Sequence, residues 1–280
     1  MNCPVETHQF ITTWKVNLPQ QLQTTYENSW INNVDLGYFG FVPKEPIALI
    51  LGTFPVPEQR TSGFFYHSDV NLCWKILSTL SGTDLLPLSN KLSWLTEKKI
   101  AISDILCKAQ RTDENCSGRA DSDLNAICYN NIFQFLNNYP TIKHVFLTSG
   151  GPTTKSLSGK SAGGWLGSHL REATERNLKK VTNEKASLTV QLRPSMKEIN
   201  LHYLITPAPQ DDQLGRHLRD SQFASQTLNS ISYLHGVESP KEKYKCFQWA
   251  VYFSKLQGIV HTNMRQELTV ENMNNILMEV

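Results

Sequence analysis

The sequence predicts an α/β fold, a three-layer α/β/α sandwich around a central, mainly parallel β-sheet. Short apolar runs of strand length, such as Ile47–Leu51, are continuous rather than alternating, which is typical of parallel strands buried on both faces. Segments with the apolar spacing of helices lie between these runs. Strands joined by helices form right-handed crossovers, and such crossovers build a layered α/β domain.

The elements follow one another along the chain. Apolar residues at steps of four from Phe10 to Trp30 predict an N-terminal helical layer over residues 1–45, interrupted at Pro19. Strands are predicted at 47–51, 100–106, 142–148, 188–192, where a hairpin is expected, and 201–205. Helices are predicted at 69–81, 122–138, from about 152, at 167–180 and at 219–256. We expect a single domain over residues 1–256 and a tail or helix over 257–280.

Composition is that of an ordinary globular protein. The chain has 280 residues, 40% of them hydrophobic and 19% charged, which excludes disorder, a collagen and a disulfide miniprotein. A net charge of +2 argues against nonspecific coating of nucleic acid. The first residues lack the pattern of a secretory signal, and no apolar run has the length of a membrane span. We therefore expect a soluble, cytoplasmic protein without a membrane partner.

The six cysteines form no CxxC pair and no regular framework. This spacing predicts buried or idle thiols in a reducing compartment rather than disulfides. It also offers no four-cysteine set for an iron–sulfur cluster, and we expect neither a metal nor a cofactor.

Ligands of such folds bind where loops leave the carboxyl ends of the strands. Here the first of those loops begins with Gly52-Thr53-Phe54-Pro55, a rigid corner that brings backbone N–H groups close to a ligand. The aromatic run Phe64–Tyr66 offers a stacking wall for a planar group such as a nucleobase. Asn71 adds a carboxamide that can orient a water or a base edge. The alternative is that the aromatic rings belong to the core and that Asn71 begins a helix.

In this order, the strand with Gly52-x-x-Pro55, the aromatic loop and Asn71-x-x-Trp74 resemble the uracil-DNA glycosylase superfamily. The resemblance is closest to its hypoxanthine-DNA glycosylase and mismatch-specific uracil glycosylase branches. Ile102–Leu106, followed by Arg111 and Ala120–Leu124, is similar to the second strand and the Asp-Ser segment of the hypoxanthine branch. Thr206-Pro207-Ala208-Pro209 stands where the superfamily has a proline-containing loop that wedges into DNA. The match covers about residues 45–235.

The resemblance implies a monomeric, monofunctional DNA glycosylase of base excision repair, whose partner is DNA containing a deaminated base. Such an enzyme flips uracil or hypoxanthine out of the helix, stacks it on an aromatic ring, here Phe54 or Phe65, and hydrolyses its N-glycosidic bond. Asn71 is the implied catalytic residue. The implied base-binding residues are Gly52, Thr53, Phe54, Pro55, Phe65, Tyr66, Ser103 and Asp104. The implied DNA-binding residues are Thr206, Pro207, Ala208, Pro209, Arg216 and His217.

Four positions count against the superfamily pattern. Phe54 stands where the mismatch-specific branch has an asparagine that positions water, and Ala208 makes a small, apolar wedge. Asp211 and Asp212 repel phosphates. Two alternatives therefore stay open, a noncatalytic nucleic-acid-binding module on the same fold and an interaction protein that uses residues 257–280 as its contact. Asp104, Asp121 and Asp123 could form a carboxylate site for a metal or a water, but we expect Asp121 and Asp123 to cap a helix.

Overall fold

In the computed structural model, the continuous apolar runs form neighbouring parallel strands. The structure describes residues 3–12, 19–33, 37–56, 64–66, 71–149, 164–169, 187–192, 197–208, 234, 236–237, 239–256 and 258–260. The strands are β1 Val5–Thr7, β2 Trp30–Asn33, β3 Tyr38–Phe41, β4 Ala48–Gly52, β5 Ile100–Asp104, β6 Leu106–Arg111, β7 Leu124–Tyr129, β8 His144–Leu147, β9 Ser187–Leu192 and β10 Lys197–Tyr203. The helices are α1 Gln9–Thr12, α2 Gln20–Thr25, α3 Cys73–Ser81, α4 Leu88–Glu97, α5 Ile132–Asn138, α6 at 164–169 and α7 Pro240–Phe253.

The chain divides into two units. Unit 1 consists of Met1–Ser68 and Leu92–Leu204, and unit 2 consists of Asp69–Lys91 and Ile205–Val280. The expected single domain over residues 1–256 stays a prediction. Among the described residues, no helix combines the length and the apolar character that crossing a membrane requires.

Unit 1 is built on a seven-stranded sheet with the order β2-β3-β5-β4-β8-β10-β9. Its centre is parallel, since β4 pairs with β5 and β8 and β8 pairs with β10. The edges are antiparallel, and the predicted hairpin is the β9–β10 pair. The α/β class is confirmed, while the sheet is mixed rather than mainly parallel. The three-layer arrangement stays a prediction.

Strand β4 lies in the middle of the seven-stranded sheet. All five of its residues are buried, because its apolar side chains cover both faces of the sheet. Gly52 lies opposite Asp104 of β5, and Leu51 lies opposite Leu147 of β8. The carboxyl ends of these three strands therefore meet at one edge of the sheet.

The N-terminal region differs from the predicted helical layer over 1–45. Its described residues form two short helices, but also β1, β2 and β3. Trp30 starts β2 and pairs with Phe41 of β3, and its ring centroid lies 5.7 Å from that of Phe10. Phe10 lies in a helix as predicted, whereas Trp30 lies in a strand, because aromatic residues also favour the half-buried surface of a sheet.

The predicted helix at 122–138 is wrong in its first half. Asp121–Asp123 is a short 3-10 turn, β7 follows, and only Ile132–Asn138 is α-helical. Strand β7 pairs antiparallel with β6, and β1 completes a second sheet with the order β1-β6-β7. Pairing with β6 decides the conformation here, because β-structure depends on partners that local periodicity does not reveal.

Unit 2 contains α3 and α7, which pack against each other. The described part of the predicted helix at 219–256 is α7, in which every residue from Tyr244 to Phe253 is buried. An ion pair of 2.9 Å joins Lys75 of α3 to Glu242 of α7. The expected tail at 257–280 lies outside the described residues except for 258–260. Of the helices expected from about 152 and at 167–180, only residues 164–169 are described, and these are helical.

The cysteines depart from the prediction of idle thiols. Disulfides join Cys3 to Cys116 and Cys107 to Cys128, with Cα atoms 5.5 and 5.4 Å apart. Such Cα separations suit a disulfide. The sequence did not indicate these pairs because β1, β6 and β7 bring the cysteines together only in the second sheet. Cys73 and Cys246 belong to neither disulfide and are buried.

We predict that Cys3→Ser lowers the free energy of unfolding by about 2–4 kcal/mol, because the Cys3–Cys116 disulfide closes a long loop in the unfolded chain. These cysteines are 113 residues apart in sequence. Chemical denaturation without reductant measures the difference.

The same measurement with reductant is the control, and there the variant and the wild type should unfold alike. Alkylation in denaturant without reductant should label only two thiols. Labelling of all six cysteines would contradict the two disulfides and would agree with the reducing compartment that the sequence predicts. In the folded protein we expect Cys246 to resist alkylation, because burial raises the pKa of its thiol to about 12.

Candidate functional site

The edge where β4, β5 and β8 end is crowded around Gly52. A Cβ at this position would clash with the Tyr66 hydroxyl and with Oδ1 of Asp104. The Tyr66 hydroxyl also forms a hydrogen bond of 2.9 Å with the Thr148 hydroxyl, just beyond β8. Tyr66 has a φ of 53°, a left-handed conformation that is uncommon outside glycine. Gly52 is therefore required by close approach, and two polar side chains converge on the strand end.

The turn after Gly52 is held from both sides. The Thr53 hydroxyl donates to Oδ2 of Asp121 at 3.0 Å, and the Ser149 hydroxyl donates to the same oxygen at 2.6 Å. The Pro55 carbonyl accepts a hydrogen bond of 2.8 Å from the buried guanidinium of Arg111. These bonds fix a turn that would otherwise be a free loop.

Arg111 is itself anchored within unit 1. It forms an ion pair of 3.2 Å with Glu6 of β1 and donates to the Gly118 carbonyl. The sequence singled out Arg111 by its position after the second strand. The structure places it under the Gly52–Pro55 turn rather than on an exposed, phosphate-facing surface.

The two candidate stacking rings differ in exposure. Phe65 is only 4% exposed, and its ring packs against Phe10 at 5.0 Å and His8 at 5.7 Å between centroids. Its surroundings are those of a core ring. Phe54 is half-buried and meets the edge of His8 at 5.7 Å. Of these two rings, Phe54 keeps more surface for a ligand.

Ser103 does not fit the base-binding role that the resemblance implies. It is fully buried, and its hydroxyl donates to the Phe39 carbonyl at 2.7 Å. The hydroxyl oxygen of Ser103 also accepts a hydrogen bond of 2.8 Å from the carboxamide of Asn130. Both hydrogen-bonding capacities of Ser103 are thus used within the core.

Asp104 faces a residue that the sequence did not indicate. Its Oδ2 lies 2.8 Å from Nε2 of His8, and both residues are buried. The peptide N–H of His8 donates to the Cys107 carbonyl, which continues the pairing of β1 with β6. The N-terminal segment thereby brings an imidazole to the end of β5.

Unit 2 brings together Asn71 and the first half of the proline loop. The Leu72 N–H donates to the Pro207 carbonyl at 3.0 Å. Oδ1 of Asn71 accepts the Cys73 N–H at 2.9 Å, which satisfies a free donor at the start of α3. The carboxamide therefore has a helix-start role, as the sequence alternative expected, while its NH2 group remains a donor.

Helix α7 holds the same loop. The buried Lys245 donates to the Ala208 carbonyl at 2.5 Å, and the Trp249 indole donates to the Ile205 carbonyl at 2.9 Å. The Thr206 hydroxyl accepts the Ala208 N–H at 3.2 Å. The remaining residues with an implied DNA-binding role, Pro209, Arg216 and His217, lie outside the described residues.

Three features of the site escaped the sequence. His8 stands far from every motif, Asn130 falls inside the helix predicted at 122–138, and Asp121, which was expected to cap, accepts from two hydroxyl groups. Asp123 does cap, since its Oδ2 accepts the Ala120 N–H at 3.1 Å. In the described part of the chain, no three His, Cys, Asp or Glu residues form a cluster suited to a metal ion.

The chain is similar to a solved structure over part of its length. No protein-family profile matches the chain, and no curated protein matches it. The solution NMR structure of a "putative Uracil DNA glycosylase" from Methanosarcina acetivorans matches 39% of this chain with 20% identity and a TM-score of 0.31. The matched region spans 66% of that protein's length, less than two thirds. A likeness at this level does not show a family.

We predict that Gly52→Ala lowers the free energy of unfolding by about 1–3 kcal/mol, because the new methyl group overpacks the site against Tyr66 and Asp104. Gly236→Ala is the matched control, since nothing lies within 4 Å of a Cβ at that position. Tyr66→Phe in the Gly52→Ala background should recover part of the loss by removing one clashing oxygen. Equal denaturation midpoints for the two glycine variants would contradict the crowded geometry.

Proposed function

We propose that this protein is a DNA glycosylase that hydrolyses the N-glycosidic bond of a flipped, deaminated base, uracil or hypoxanthine. The order of Gly52-x-x-Pro55, the aromatic loop and Asn71-x-x-Trp74 supports this proposal, because it resembles that superfamily. The observation that carries it is the fixed turn at the end of β4, which leaves Phe54 half-buried at the edge where three strands end.

The geometry of the turn suits a planar ligand. A base that stacks on Phe54 contacts an aromatic face. Stacking of this kind is possible for every base and contributes about 1–3 kcal/mol to binding. The turn does not have to be ordered on binding, because Arg111, Asp121 and Ser149 already hold it. Phe54 then serves as the stacking ring, and Phe65 supports it from the core through His8.

The proline loop suits contact with DNA. Ala208 and Pro207 are held by Lys245 and Leu72, so the loop is positioned before any ligand arrives. The ammonium group of Lys245 also adds positive potential at this loop, which favours an approaching phosphate. Each of these features supports DNA as the partner.

The test is release of a base from oligonucleotides that carry a single uracil, hypoxanthine or xanthine, in duplex and in single-stranded form. We expect strand breaks after alkali at the modified position and none in the unmodified oligonucleotide. Absence of release from every substrate, with the enzyme in excess, would overturn the proposed activity.

A noncatalytic binding module is the second candidate. It is favoured by Asn71, whose carboxamide oxygen already accepts the Cys73 N–H. Tight binding to lesion-containing DNA without base release would select this candidate.

For the catalytic role of Asn71, we predict that Asn71→Ala and Asn71→Asp both lower the single-turnover rate by about 100-fold or more. The aspartate variant retains an acceptor for the Cys73 N–H and should melt like the wild type, but it lacks the NH2 donor. Saturating enzyme removes differences in DNA affinity from this comparison. Wild-type rates for Asn71→Asp would show that the residue only begins the helix.

A further inference from the structure

We infer that Asp104 is the general base that takes a proton from the water attacking the sugar, and that His8 positions its carboxylate. This inference rests on the proposed glycosylase activity. The attacking water is then held at the carboxyl end of β5 and not at the turn position that Phe54 occupies.

The hydrogen bonds of His8 assign its proton. The Phe10 N–H donates to Nδ1 of His8 at 3.1 Å, so this nitrogen is an acceptor and carries no hydrogen. Nε2 therefore carries the proton and donates to Oδ2 of Asp104 at 2.8 Å. The imidazole is the neutral tautomer, and the second carboxylate oxygen, Oδ1, stays available as an acceptor.

The burial of Asp104 is costly for a purely structural residue. The residue is 6% exposed, and its hydrogen-bond partner His8 is neutral in this tautomer. Within the described residues, no lysine or arginine forms an ion pair with its carboxylate. A buried carboxylate without a cation is destabilising, and such groups are frequent at functional sites.

The position of Oδ1 fits the reaction. It lies against Gly52 at the carboxyl end of β4, at the start of the proposed base-binding turn. The imidazole of His8 contacts both Asp104 and the ring of Phe54. The proposed stacking ring and the carboxylate thus share His8 as a neighbour.

The step balances as a hydrolysis. The bond from C1′ to the base nitrogen breaks, and its electron pair leaves with the base. The water oxygen bonds to C1′ while one water proton moves to Oδ1 of Asp104, and this proton then neutralises the departed base by way of solvent. Before the proton moves, the negative carboxylate also stabilises the positive charge that develops on the sugar.

The first test measures rate and affinity separately. Asp104→Asn should lower the single-turnover rate of base release by about 100-fold or more. Its Kd for an uncleavable 2′-fluoro lesion oligonucleotide should change by no more than about threefold, since ground-state contacts remain. Asp84→Asn makes the same charge change at an exposed carboxylate and should leave both quantities unchanged.

Variants of His8 test the positioning role. His8→Gln keeps an N–H donor near the place of Nε2 and should retain more of the rate than His8→Leu, which has no donor. Equal rates for these two variants would overturn the role of His8. Formate added to Asp104→Ala should restore part of the rate, which a merely structural residue would not show.

A binding measurement without turnover completes the test. Wild-type protein should bind a cationic pyrrolidine abasic analogue more tightly than the neutral tetrahydrofuran analogue, and Asp104→Asn should lose about 10-fold or more of this preference. If the wild type releases a base but Asp104→Asn keeps its rate and its preference, Asp104 is not the base. If the wild type releases no base at all, the proposed function fails, and this inference fails with it.

Discussion

The buried carboxamide of Asn130 is the interaction on which the end of β5 depends. Its oxygen accepts the Phe39 N–H at 3.1 Å, and its NH2 group donates to the Ser103 hydroxyl and the Asp104 carbonyl at 2.8 Å each. The register pairs β3 with β5 at Ile102, and Asn130 supplies partners to the polar groups of the next two residues, which are buried. Because every capacity of the carboxamide is used, Asn130 ties β3 to β5 and fixes the direction in which the Asp104 side chain leaves the strand.

A second constraint follows from the register. Gly52 and Asp104 are opposite one another in parallel strands, and the same pairing aligns Leu51 with Ser103. A shift by one residue would turn each side chain to the other face. Asn130, β4 and the N-terminal segment with His8 therefore specify a single position for one carboxylate, although they are distant in sequence. Rigid support of this kind is what a precisely placed functional group requires.

The sequence predicts the central strands well because their signal is local. A continuous apolar run such as Ile47–Leu51 is typical of a strand that is buried on both faces of a sheet. The run itself therefore predicts the strand. β7 and the disulfide between Cys3 and Cys116 were missed for the opposite reason, since both exist only through the second sheet. Among site residues, Gly52 and Pro55 were indicated by their backbone chemistry, whereas residue type alone does not show that the Ser103 hydroxyl is buried and bonded within the core.

Phe54 and Asp104 are best understood together. A phenylalanine in the turn cannot hold water, which counts against catalysis if the turn must supply the polar group. The structure supplies a polar group from the neighbouring strand, and the imidazole that orients it packs on the same phenylalanine. Burial of that carboxylate lowers the local polarity, which strengthens its attraction to a positive charge. The apolar turn residue and the buried acid at the neighbouring strand end are therefore compatible with the proposed reaction, in which the turn binds the base and the strand end carries the chemistry.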